Sequence, residues 1–225
     1  MISTAYNMDC MDYMASLDDN AFDIAIVDPP YGINAPNMNM GSYGKYKSTA
    51  TLCKKSRFDK GGGKLKNRVL NTMNCDWDMT PPTKEYFDEL FRVSKNQIIF
   101  GANYFPLPPC RCIVVWDKIQ PWKNFSQVEI AWTSFNAPAK LFRYSTRGGS
   151  NREKKIHPTQ KPVKLYTWLM QEFCKPGNTI LDTHLGSGSS RIAAYHLGFD
   201  FVGIEIDQLY FEAQEQRFEK YKDQP

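Results

Sequence analysis

The chain has 225 residues, 42% of them apolar and 14% aromatic, which suffices for one well-cored domain or at most two small ones. No apolar run approaches the roughly 20 residues of a helical membrane span, and the stretch MISTAYNMDCMDYM lacks the basic-then-apolar layout of a secretory signal. The net charge of +4 is mild but unevenly placed.

In chain order, Ala21 to Val27 reads as an apolar strand that runs straight into Asp28-Pro29-Pro30-Tyr31. A polar stretch follows from about Gly32 to Asp76, broken by Gly61-Gly62-Gly63; a loop that long in a compact domain is usually functional or partly disordered. Thr80 followed by Pro81 has the pattern of a helix start, and Phe87, Leu90 and Phe91 supply the apolar face. Gln97 to Phe100, Ile113 to Trp116 and Val128 to Thr133 read as buried strands. A helix carrying Leu165, Trp168, Leu169 and Phe173 follows Pro162 and ends at Pro176-Gly177. Thr179 to Leu181 is a short strand, Ser189 to Leu197 a helix stopped by Gly198, Phe201 to Ile204 a strand, and the tail from Tyr210 a charged amphipathic helix. Strands alternating with helices predict an α/β domain, doubly wound around a largely parallel sheet.

Charge is concentrated in two places. Lys45, Lys47, Lys54, Lys55, Arg57, Lys60, Lys64, Lys66 and Arg68 are opposed only by Asp59, and Arg143, Arg147, Arg152, Lys154 and Lys155 only by Glu153. Such runs are either solvated loops or the footprint of a polyanion. Cys10, Cys53, Cys75, Cys110, Cys112 and Cys174 form no CxxC pair, as expected of reduced thiols in a cytosol. Cys110-x-Cys112 is not a usual zinc-ligand spacing, so no metal is expected.

Three strand ends carry unusual chemistry. Asp182-Thr183-His184-Leu185-Gly186-Ser187-Gly188-Ser189 turns a strand through small residues into a helix, and Gly203-Ile204-Glu205-Ile206-Asp207 ends a strand on a carboxylate. A glycine turn lets a ligand approach the backbone while helix N–H groups face its anionic part, and an acid on the next strand can accept from ribose hydroxyls. The third glycine of a dinucleotide fingerprint is missing, because Arg191 stands there. A cofactor with an adenosine and a carboxylate but no pyrophosphate fits better, and S-adenosylmethionine has that anatomy. At the remaining strand end, Asp28 and the Pro29 carbonyl could accept both hydrogens of an exocyclic amine and aim its lone pair, with the prolines holding them still. Tyr31 could stack on a base lifted from a helix.

These motifs resemble those of the DNA amino-methyltransferases, which act on adenine N6 or cytosine N4. Asp28-Pro29-Pro30-Tyr31 is similar to their catalytic tetrapeptide, and Asp in its first position leans toward adenine. His157-Pro158-Thr159-Gln160-Lys161-Pro162 is similar to an element that precedes the cofactor loop in one branch, and Asp182 to Ser189 to that loop itself, with Thr183 for Pro and His184 for Phe. Glu205 matches the ribose-binding acid, and Asn7-Met8-Asp9-Cys10 resembles the element whose acid contacts the cofactor's adenine. The resemblance is looser through Gly101-Ala102-Asn103-Tyr104-Phe105.

The resemblance implies a single methyltransferase domain over 1–225 that carries basic DNA-contacting segments at about 33–76 and 140–156. It implies Asp28, Pro29, Pro30 and Tyr31 as catalytic residues. S-adenosyl-L-methionine would be held by Asp9, Cys10, Asp28, Lys161, Asp182, Thr183, His184, Gly186, Ser187, Gly188, Ser189, Glu205 and Ile206. DNA would be held by Lys45, Lys47, Lys54, Lys55, Arg57, Arg147 and Arg152. A homodimer is compatible with the family, and a bacterial or phage-host cytoplasm is the expected location. The catalytic motif precedes the cofactor loop, so the two strands concerned should lie side by side at the sheet's switch point. Methylation of cytosine N4, of RNA or of a protein amide stands as the enzymatic alternative, and a non-catalytic nucleic-acid-binding subunit as the other. Pro109-Cys110 reads as a loop thiol, His157 as an orienting residue, His196 as a packing or surface residue, and Trp77, Trp116 and Trp132 as core, with DNA contact as the alternative for Trp77 because it borders the basic loop.

Overall fold

A computed structural model describes residues 1–35, 77–120, 126–145 and 155–222. In chain order the elements are β1 (Ser3–Asn7), α1 (Cys10–Ala15), β2 (Phe22–Val27), α2 (Lys84–Val93), β3 (Ser94–Phe100), β4 (Ile113–Asp117) and β5 (Val128–Thr133). They continue with β6 (Lys140–Arg143), α3 (Val163–Phe173), β7 (Thr179–Asp182), α4 (Ser189–Leu197), β8 (Asp200–Glu205) and α5 (Gln208–Lys222).

The strands form one 8-stranded sheet in the order β1-β8-β7-β2-β3-β5-β4-β6. Strands β1, β8, β7, β2 and β3 are mutually parallel; β5 runs antiparallel to both β3 and β4, and β6 lies parallel to β4. This is the expected doubly wound, largely parallel α/β sheet. Strand β2 shows how the chain specifies it. Its residues alternate faces, so Ile24 and Ile26 pack with Leu165, Leu169 and Met170 of α3 and Ala193 of α4. Ala25 and Val27 pack with Met14 of α1 and with Phe87, Leu90 and Val93 of α2. A strand covered on both faces needs a continuous apolar run rather than alternation, and each large side chain buried there contributes about 1.5–3 kcal/mol.

Several boundaries differ from those the sequence suggests. Helix α2 starts at Lys84 behind Thr83 rather than behind Thr80, because Pro82 disfavours helical backbone at Pro81. Periodicity gives no element before Ala21, yet β1 and the six-residue α1 lie there. The basic segment assigned to about 140–156 opens with a strand, β6, and its residues 146–154 lie outside the described set. Helix α5 begins at Gln208, two residues before Tyr210, because Asp207 Oδ1 accepts from the Leu209 and Tyr210 N–H groups. Among the described residues, no helix is long and apolar enough to cross a membrane.

The placement that matters most is β2 against β7, in register Ile24 to Ile180 and Ala25 to Leu181. From β2 the chain goes on through α2 to β3 on one side, and from β7 through α4 to β8 on the other. The chain therefore diverges between two adjacent parallel strands, leaving a crevice beyond their carboxyl ends.

Candidate active site

Asp28 is the first residue past β2, and the two prolines that follow cannot extend the ladder. The turn is held from beneath by Asp78, which is 2% exposed. Its Oδ1 accepts from the N–H groups of Tyr31 at 2.6 Å and Gly32 at 3.0 Å, and its Oδ2 from Ala35 at 2.7 Å. Its backbone carbonyl accepts from Asn34 at 2.8 Å. The motif is thus pinned along its whole exit by one carboxylate.

The Tyr31 hydroxyl donates to Asp28 Oδ1 at 2.6 Å. Burial and the Asp28 charge hold that phenol well above its ordinary pKa, so it stays a neutral donor. Its ring stacks on Tyr104 with centroids 4.8 Å apart and planes 14° off parallel, and meets the edge of Phe105. Gly101 is required beside it: its φ of +79° suits glycine, and a Cβ there would lie 2.3 Å from Tyr31 Cε1. The expected base-stacking ring is therefore already stacked, on a tyrosine that is 42% exposed.

Asp28 Oδ2 accepts from the Lys161 ammonium, which is buried just before α3. Lys161 Nζ also lies 3.1 Å from Glu129 Oε2 on β5, while Lys118 pairs with Glu129 Oε1. Charges thus alternate along Lys118, Glu129, Lys161 and Asp28. Burial disfavours the Lys161 ammonium, yet the two carboxylates hold its pKa above the ordinary lysine value. Burial also opposes ionisation of Glu129, but Lys161 and Lys118 bring its carboxyl down to about 2. Asp28 has only a share of one lysine, and burial together with the Glu129 charge pushes it above the usual carboxylate range.

Beside Asp28, β7 ends on Asp182, whose Oδ2 accepts from Ser190 Oγ at 2.5 Å and Oδ1 from the His184 N–H at 3.0 Å. Burial raises Asp182 to about 7. The turn passes through Gly186 and Gly188, both with positive φ, into α4. Glu205 at the end of β8 accepts from the Gly186 N–H at 2.7 Å and the Asp207 N–H at 3.0 Å. Each of its oxygens keeps a further lone pair for a hydroxyl, and burial raises its pKa to about 7. A buried acid with free acceptor capacity beside a turn of two glycines suits the ribose hydroxyls of S-adenosyl-L-methionine, so the residues present fit that cofactor. Ser189 Oγ donates to the Lys161 carbonyl at 2.7 Å, which ties the glycine turn directly to the backbone of the lysine that pairs with Asp28.

The two departures from the family loop are occupied with each other. Thr183 Oγ1 lies 2.7 Å from the Tyr86 hydroxyl and 2.9 Å from His184 Nδ1, and burial lowers His184 to about 4, leaving the ring neutral. Asp9 caps α1 through the Met11 N–H at 2.7 Å and is exposed, Cys10 is pushed up to about 12 by burial and by Asp9, and Ile206 is exposed next to Glu205. The His157 ring lies between Trp77 and Tyr210, at 5.1 and 4.3 Å, and 3.6 Å from where a Cβ on Gly186 would stand. Trp77 therefore backs the His157 ring that packs against Gly186. Trp116 and Trp132 are core, and His196 is exposed.

Asp28, Pro29, Pro30, Tyr31, Lys161, Asp182 to Ser189 and Glu205 thus converge on the carboxyl ends of three neighbouring strands. Lys45, Lys47, Lys54, Lys55, Arg57, Arg147 and Arg152 lie outside the described residues. Asp78 and Glu129 belong to the site without having been marked by any motif, and Tyr104 was marked only through the looser resemblance over Gly101 to Phe105. An acid next to Trp77, an acid inside an apolar strand and a tyrosine in the Gly101 to Phe105 segment were the available signals.

A family model described as DNA methylase, N6_N4_Mtase, matches residues 115–216. The Type II methyltransferase M.HinfI of Haemophilus influenzae is 22% identical over 100% of this chain and 70% of its own length. The Type II methyltransferase M2.MboI of Moraxella bovis is 23% identical over 95% and 86% respectively. The crystal structure of the M1.HpyAVI–SAM complex shares the fold, with a TM-score of 0.55 at 19% identity, covering 96% of this chain and 98% of that one. With Asp28-Pro29-Pro30-Tyr31, the Asp182 to Ser189 turn and Glu205 brought to one crevice, the chain is similar to the N6/N4 DNA methylases, whose family model matches residues 115–216.

Proposed function

We propose that this chain methylates the exocyclic N6 of an adenine in DNA, using S-adenosyl-L-methionine. The observation that carries the reading is the Asp28 carboxylate, fixed by its prolines at the end of β2 and one strand from the glycine turn that Glu205 grips. S-adenosyl-L-methionine supplies, when bound, a methyl group made electrophilic by its sulfonium. Asp28 and the Pro29 carbonyl accept the two amine hydrogens and turn the nitrogen lone pair out of the ring's conjugation. Glu205 and the glycine turn would hold the cofactor where it gives up its methyl to that lone pair and leaves as the neutral thioether, and the proton the amine sheds passes to Asp28 and on to solvent. Asp rather than Ser at the head of the tetrapeptide favours adenine over cytosine. On this reading, 1–225 is one methyltransferase domain, and the basic runs around Lys45 to Arg68 and Arg143 to Lys155 contact the phosphates.

The test incubates the protein with duplex DNA and labelled cofactor, digests the product to nucleosides and identifies the methylated base by mass spectrometry. N6-methyladenine supports the assignment, whereas N4-methylcytosine overturns the choice of base. Asp28→Ala should lose methyl transfer by on the order of 3 kcal/mol in the barrier, more than a hundredfold, with cofactor affinity retained.

A further inference from the structure

We propose that Glu129 is a positioning residue that takes Lys161 over from Asp28, freeing the catalytic carboxylate for the incoming amine. The inference rests on the methyl-transfer reading above. As the site stands, both Asp28 oxygens have protein partners, Tyr31 on Oδ1 and Lys161 on Oδ2. An amine that is to be held by Asp28 must displace one of them.

Lys161 has nowhere wet to go. Its side chain is 4% exposed, and its ammonium lies 4.6 Å from the centroid of the Phe100 ring. Detaching a buried ammonium from its sole carboxylate would leave an uncompensated charge, which is among the costliest changes inside a protein. Glu129 removes that obstacle, because its Oε2 is already 3.1 Å from Nζ. An ammonium has three donors, so Lys161 can shift its weight from one carboxylate to the other without ever being bare. Lys118, bound to the far oxygen of Glu129, keeps that carboxylate ionised and fixed. Among the described residues, the other titratable groups that face Asp28 are Tyr31 on its own loop, Tyr166 on α3, Tyr86 on α2 and Asp182 on β7, none of them a cation.

The charge order gives a test that simple damage to the fold would not mimic. In Glu129→Gln, Lys161 belongs to Asp28 alone. The amine then competes less well, so kcat/KM for DNA should fall by about tenfold or more. Asp28 should also ionise more readily, moving the acid limb of the pH–rate profile about one unit lower. Lys118→Met has the opposite sign: Glu129 loses its outer counter-charge, draws more on Lys161 and repels Asp28, and the acid limb should move higher. Cofactor affinity, measured by calorimetry, should be unchanged in both. Should Glu129→Gln fail to fold, the direction of the Lys118→Met shift decides alone. Limbs that stay put, or that move the same way in both variants, overturn the role of Glu129. A wild-type protein that transfers no methyl group would instead refute the proposed function, so the two failures are distinct.

Discussion

Replacing Asp78 with Asn probes the turn without touching a group that meets the substrate. The wild-type carboxylate accepts three backbone N–H bonds, at 2.6, 3.0 and 2.7 Å, inside the protein. An amide presents one oxygen with two acceptor sites and turns its NH2 toward the remaining donor. One bond is lost and two lose their charge assistance, a cost of about 2–3 kcal/mol. For a chain of this length that lowers the melting temperature by about 5–10 °C. Because the same bonds hold Tyr31 beside Asp28, kcat should also fall, by about tenfold, while cofactor affinity holds. Thermal unfolding and single-turnover methyl transfer on the same preparation measure both. A variant that melts and turns over like the wild type would show that the turn is rigid for another reason, and the stated role of Asp78 would be wrong.

Glu205→Ala should weaken S-adenosyl-L-methionine binding with little change in the saturated rate, since a ribose contact serves ground and transition states alike; an unchanged cofactor titration in a folded variant tells against it. Because Glu205 rises from 4.5 to about 7 in the folded protein, the native state binds that proton more tightly than the unfolded chain does. Its stabilising contribution is therefore present below about 4.5 and lost as pH climbs through about 7. Asp182 acts with the same sign, and Glu205→Gln should flatten the decline seen by chemical denaturation across that range. Replacing Lys54, Lys55 and Arg57 together with alanine should weaken DNA binding and flatten its salt dependence, by about one unit of slope for each phosphate no longer engaged. Parallel slopes at equal affinity would reassign phosphate binding to the run from Arg143 to Lys155.

The central strands were legible because burial on both faces forces uninterrupted apolar runs, as in Ile24-Ala25-Ile26-Val27. Their ends were legible because prolines, glycines and acids interrupt those runs. Strands β1 and β6 lie at the two edges of the sheet and are at best half-buried, so composition does not mark them. Thr80 resembled a cap because the restriction that Pro82 imposes on Pro81 outweighs a local preference only once both are weighed together. The supporting residues escaped for a different reason. Asp78 is 47 residues from Tyr31, and Lys161, though named as a site residue, is 133 from the Asp28 it pairs with. No periodicity reports such partners. Glu129 occupies a position in β5 that would ordinarily be half-solvated, and only the folded site reveals that two lysines meet there.

The pairing of β2 with β7 also governs how the protein comes off the ribosome. Asp23 and Thr179, which hydrogen-bond across that junction, are 156 residues apart. At roughly 5–20 residues per second, about 10–30 s of synthesis separates one strand from its neighbour. Through that interval the edge of β2 that will receive β7 is an apolar template open to the wrong strand. Strand β1 waits longer still, since its neighbour β8 begins at Asp200. A nascent chain therefore carries Asp28-Pro29-Pro30-Tyr31 long before the Asp182 to Ser189 turn and Glu205, which complete the crevice around it, have been made.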